Sequence, residues 1–112
     1  MFAHEELDVY RCALEFAAWS RSMRIRINNL HRSLHEQLVR AEGSIILNIA
    51  EGNGKRPGAD RRRYLESARG SAAECAAIID ILRINGIVSS SQAAEGKDLL
   101  DRIAAMLTKM MR

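Results

Sequence analysis

At 112 residues the chain is read as a single domain, 1–112, with a real but modest core, and its 47% apolar content lets it fold without disulfides. One proline and 4% aromatics argue for helices over sheet, while Cys12 and Cys75 lack CxxC spacing and fit buried thiols in a reducing cytoplasm. The formal charge is +3, and fourteen of the seventeen cations are arginine, the residue suited to bidentate carboxylate or phosphate contacts; with fourteen acids also present, a solvated surface laced with ion pairs is the plainer alternative.

The acidic start, Met1-Phe2-Ala3-His4-Glu5-Glu6, lacks the basic and apolar regions of a signal peptide. No stretch reaches the length of apolar sequence that spans a membrane, and the expected location is cytoplasmic. Hydrophobic periodicity is helical throughout. The first helix is predicted over residues 5–27 and the second over 32–51, ended by Gly52-Asn53-Gly54. Pro57-Gly58 separates the second from a third at 60–84, stopped by Asn85-Gly86. Ser89-Ser90-Ser91 caps a fourth that runs to about residue 111. Short connections make neighbours antiparallel, so the expected fold is all-α, an up-down-up-down antiparallel four-helix bundle.

The fourth helix carries one apolar stripe: Leu99, Ile103, Met106, Leu107 and Met110. The first two helices carry two each. Leu7, Leu14 and Ala18 line one side of the first helix, with Val9, Cys12, Phe16, Trp19 and Met23 on another. On the second, Leu34, Leu38, Ala41, Ile45 and Ile49 form a core stripe, with Val39, Ile46 and Ala50 beside it. A second stripe needs a cover, and another copy of the chain supplies one. Phe16, Trp19, Val39 and Ile46 are therefore the expected subunit contacts; a wide core stripe in a monomer is the alternative.

Two blocks place polar and glycine residues where a helical core should be apolar. Ser44, Asn48 and Glu51 lie along one flank of the second helix, and Arg69, Gly70, Ser71 and Glu74 lie on the third. Gly43 and Gly70 each cost about 1 kcal/mol against alanine inside a helix, which suggests close helix approach. Ser44, Asn48, Glu51, Arg69, Ser71 and Glu74 are read as a structural polar network that fixes register. Glu51 and Glu74 have no accompanying histidine, so no catalytic residue is assigned. His31 and His35 are one turn apart, but no acid–histidine pairs occur on other helices, and no metal or cofactor is expected. No phosphate-binding Gly-x-x-x-x-Gly-Lys-Ser/Thr loop is present.

Lys55, Arg56, Arg61, Arg62 and Arg63 cluster around the start of the third helix, where cations oppose the helix dipole. A docked polyanion is one reading, and a solvated turn with local pairing such as Arg62–Glu66 is the other. Arg21, Arg24, Arg26 and Arg32 form a second basic region at the opposite end of the bundle.

Leu7-Asp8-Val9-Tyr10, Asn48-Ile49-Ala50-Glu51-Gly52-Asn53-Gly54-Lys55, Tyr64-Leu65, Ala68-Arg69-Gly70-Ser71-Ala72-Ala73-Glu74 and Met106-Leu107 resemble a bacterial four-helix-bundle family. Its first members were described from intervening sequences in large-subunit ribosomal RNA genes. The resemblance covers nearly the whole chain. It departs over residues 24–32 and at Ser67, where an aliphatic residue is common. It implies a ring-shaped homo-oligomer, typically a pentamer, without catalytic activity. A related branch, the accessory variability determinant of diversity-generating retroelements, is similar in fold and binds a reverse transcriptase and RNA through a basic surface. The leading expectation is a non-enzymatic oligomer that binds RNA or DNA, or assists a reverse transcriptase, through Lys55, Arg56, Arg61, Arg62, Arg63, Arg24, Arg26 and Arg32. A protein-interaction scaffold without nucleic-acid binding is the alternative.

Overall fold

The helical period is realised as four α-helices in a computed structural model that describes all of residues 1–112. They are α1 (Asp8–Arg24), α2 (Arg32–Asn53), α3 (Ala59–Ile84) and α4 (Ser90–Met110), with 3-10 turns at Ala3–Glu6 and Asn29–His31. Each helix packs on its two neighbours in a closed square. Cross-helix contacts run in opposite residue order on three seams, which makes these neighbours antiparallel. Arg40–Glu74 and Ser44–Ser71 join α2 to α3. Lys97–Asp80 and Arg69–Thr108 join α3 to α4, and Cys12–Leu99 and Arg26–Gln92 link α1 and its following turn to α4. The result is a four-helix bundle 43 Å long and 25 by 23 Å across.

Local sequence sets most boundaries. Ser89 accepts from the Gln92 amide at 3.0 Å, and the Gln92 side chain accepts from the Ser89 amide at 2.8 Å, a reciprocal cap that starts α4. Gly86, at φ 74, ends α3 with the Ile87 amide donating back to the Leu82 carbonyl at 2.9 Å. The first helix is shorter than its apolar period suggests. Extended Leu7 divides it from the first 3-10 turn, and after Arg24 the amides of Arg26 and Ile27 close onto carbonyls only three residues back. Nor does Gly52 end α2, which runs on to Asn53; the reversal comes at Gly58, whose φ of 148 suits glycine alone.

The core settles which stripe faces inward. Val9, Cys12, Phe16 and Met23 of α1 are buried against Leu38, Ala41, Ile45 and Ile49 of α2, Leu65, Ala72, Ile79 and Leu82 of α3, and Leu100, Ile103 and Leu107 of α4. The expectation that Phe16 and Trp19 meet another subunit is therefore corrected. Phe16 is 0% exposed inside its own chain. Trp19 stacks on Phe16 at 5.6 Å between ring centroids and occupies the space that a side chain at Gly96 of α4 would need. It is Leu14, on the other stripe, that faces outward. On α2, Leu38 to Ile49 is the core stripe as expected; Ile46 is half-buried against the core and Val39 is exposed. Cys75 is fully buried, and desolvation pushes its thiol up to about 12. No helix is long and apolar enough to cross a membrane.

The glycines predict opposite effects. A Cβ at Gly96 would lie 2.4 Å from the Trp19 ring, whereas one at Gly43 or Gly70 meets nothing within 4 Å. In urea denaturation, Gly96→Ala should destabilise the fold by about 1–2 kcal/mol, crowding outweighing helix propensity. At protein concentrations where the chain is a monomer, Gly43→Ala and Gly70→Ala should each stabilise it by roughly 0.5–1 kcal/mol.

Candidate nucleic-acid interface

The α2–α3 turn brings its cations together but gives them different tasks. Arg62 is held by Glu66, Nε to Oε1 at 3.2 Å, and by the Met111 carbonyl at 2.8 Å, so it ties the start of α3 to the end of α4. Arg63 donates to Asp60 at 2.7 Å and lies over the Tyr64 ring, 4.7 Å from its centroid. Its hydrogen bond holds the Asp60 carboxyl below the usual aspartate range. Lys55 reaches the same ring from the end of α2, with Nζ at 5.6 Å.

Lys55, Arg56 and Arg61 make no ion pair. Arg61 lines a cleft of about 570 Å³ with Arg62 and Arg112, and a second cleft with Lys109 of α4. Lys109 is far from the hinge in sequence and neighbours Arg61 only because α4 returns antiparallel to it.

The opposite basic region is only partly a surface of free cations, since Arg21 is exposed and makes no ion pair while its neighbours are engaged. Arg24, expected to face nucleic acid, is turned inward and pairs with Glu42 of α2 at 2.9 Å, its side chain only 18% exposed. Arg26 donates to Gln92 at 3.0 Å, and Arg32 pairs with Glu36 at 3.2 Å. Sequence reading also passed over Glu42. Its signal was present: it falls one turn after Leu38 and three residues before Ile45, on the core side of α2. Arg24 Nε and Glu42 Oε2 remain buried without partners, so the pair is incompletely compensated. Burial raises the affinity of the Glu42 carboxyl for a proton, and the charge of Arg24 offsets only part of that.

The polar blocks form a seam rather than one connected network. Asn48 donates to the carbonyl and hydroxyl of Ser44, at 2.8 and 3.0 Å, and Ser71 donates to the same hydroxyl at 2.9 Å. Glu74 joins through Arg40, one turn further along the seam. Two residues stand apart from it. Arg69 turns away to Thr108 at 3.1 Å, and Glu51 is exposed without an ion pair. Gly43 and Gly70 do not serve close approach within the chain; a Cβ at either meets nothing, and Leu47, one turn after Gly43 on α2, is 67% exposed. No group of three or more His, Cys, Asp or Glu side chains is placed to hold a metal ion.

An all-α bundle with a polar α2–α3 seam and a basic turn defines the structural class. Over residues 5–109 the sequence matches the family described as 23S rRNA-intervening sequence protein. The chain belongs to that family. It is also similar to a crystal structure from Bacteroides thetaiotaomicron, a protein of unknown function from the S23 ribosomal protein family. The TM-score is 0.82 at 21% identity, over 93% of this chain and 98% of that one; at this identity the likeness concerns the fold alone. No curated protein matches the chain.

Glu42 gives the interior a pH signature. Its raised folded value means that the unfolded carboxyl ionises first as pH climbs through the ordinary glutamate range. The contribution of Glu42 to stability is therefore full below that range and is lost as pH rises through the folded value. Denaturation midpoints across this window should fall with pH in the wild type relative to Glu42→Gln. Parallel profiles for the two proteins would show that Glu42 does not titrate in this way.

Proposed function

We propose that this protein is a non-enzymatic, homo-oligomeric bundle that binds RNA, alone or as an accessory to a reverse transcriptase, through the basic end of the α2–α3 hairpin. One observation carries the reading: Lys55, Arg56 and Arg61 lie at one end of the bundle with no ion pair, and Lys109 shares with Arg61 a cleft in which Asp8 is the single carboxylate. Unpaired cations raise the local concentration of a polyanion, and neutralising phosphates releases the counterions condensed on them. The family's description, 23S rRNA-intervening sequence protein, is consistent with a setting in RNA biology. A ring of copies, a pentamer on the resemblance, would multiply a weak patch by avidity.

Assembly has its own support. Inside the chain the glycines at 43 and 70 return no packing for their helix cost, and Leu47 is exposed one turn after Gly43. A helix of a second copy laid along this face would use both. This revises the subunit contacts to the outer α2–α3 face, where Val39 borders the patch.

Two measurements test the reading. RNA affinity should fall steeply with salt, and Arg56→Glu with Arg61→Glu should reduce the log–log slope by roughly 1–2. A multimer indifferent to RNA at low salt would instead leave a protein-interaction scaffold. Separately, Leu47→Glu should bring the solution mass down toward the 12.5 kDa of one chain while the helical signal is kept; an unchanged mass would remove this face as the subunit contact.

A further inference from the structure

We infer that the hinge recognises unpaired bases, so that the RNA it takes is single-stranded, with a base stacked on the outward side of the Arg63 guanidinium. The inference rests on the RNA-binding reading and narrows its ligand.

Arg63 is unlike the other cations of the hinge. Its guanidinium sits over the Tyr64 ring at 4.7 Å and is fixed at one edge by Asp60 at 2.7 Å, yet the side chain stays 66% exposed. Asp60 answers its charge locally, which makes it a weak phosphate contact. What remains available is the guanidinium plane itself, exposed and tethered at one edge. Lys55, arriving from α2, contacts the same ring at 5.6 Å, so the aromatic is the point where the two arms of the hinge meet. Arg56, exposed and without an ion pair, stands one residue from Lys55.

A planar platform flanked by free cations is the composition of single-strand sites, in which bases stack on aromatic or guanidinium planes and cations track the phosphates. A duplex keeps its base faces inside the stack and would meet the cations only. Phosphate binding by itself gives no use to an arginine already matched by a carboxylate and seated on a ring.

The test compares a short unstructured RNA, the same sequence as a perfect duplex, and heparin, which has charge but no bases. Wild-type protein should bind the single strand more tightly than the duplex. Arg63→Lys keeps the charge and removes the plane; it should weaken single-strand binding about tenfold while leaving duplex and heparin affinities unchanged. Arg56→Gln should weaken all three together. Equal affinity of the wild type for single strand and duplex would overturn the stacking site and leave the RNA reading standing. So would a uniform loss, or no loss, in Arg63→Lys. Failure to bind any of the three, heparin included, would remove the RNA reading and this inference with it.

Discussion

The contact between Gly52 and the first turns of α3 sets the geometry of everything built on the hairpin. A Cβ at Gly52 would lie 3.1 Å from Leu65 Cδ2 and 3.2 Å from Tyr64 Cβ, so glycine allows the last turn of α2 to lie directly against α3. Leu65 is buried by this approach, and Tyr64 beside it is brought within reach of Lys55. Apolar burial is non-directional and does not fix register by itself. The polar seam does: Ser44 meets Ser71, and Arg40 meets Glu74, at the spacing that an antiparallel pair anchored near Gly52 and Leu65 demands. The seam and the hinge are thus two consequences of one close approach.

The features that could be read from the sequence are those decided within a few residues. The cap at Ser89 and the Asn85-Gly86 stop depend on side chains and backbone preferences near their own helix ends, and each lies where periodicity and turn chemistry place it. The inward face of α1 is decided elsewhere. Two stripes of comparable hydrophobicity run along that helix, and a 3.6-residue period reveals both without ranking them. The choice falls to α4, where Gly96 leaves a slot that only a large flat side chain fills. Trp19 takes it, Phe16 follows into the core, and Leu14 is left outside.

The same division explains the charges. Arg61, Arg62 and Arg63 are consecutive in sequence, but successive helical residues point about 100° apart. One lines the clefts toward α4, one ties α3 to the Met111 carbonyl, and one is seated on Tyr64. A run of like charges in sequence is therefore not a patch of like charges in space. Arg24 makes the point more strongly. It belongs by position to a basic cluster and by structure to the interior, because Glu42 interrupts the apolar face of the neighbouring helix. Recognising Glu42 as a charge on a core face was open to sequence analysis; naming its partner on another helix was not.

Gly43 and Gly70 turn this argument outward. Glycine inside a helix is expected to mark close approach, and Gly52 and Gly96 satisfy that within the chain. The other two satisfy nothing there, on the long side of a bundle 43 Å by 25 Å, whereas Lys55, Arg56 and Arg61, which make no ion pair, lie at its end. Sides and end are separate surfaces. An assembly packed through the α2–α3 sides would leave every basic end uncovered, and bringing such ends together is how several individually weak sites come to hold one strand.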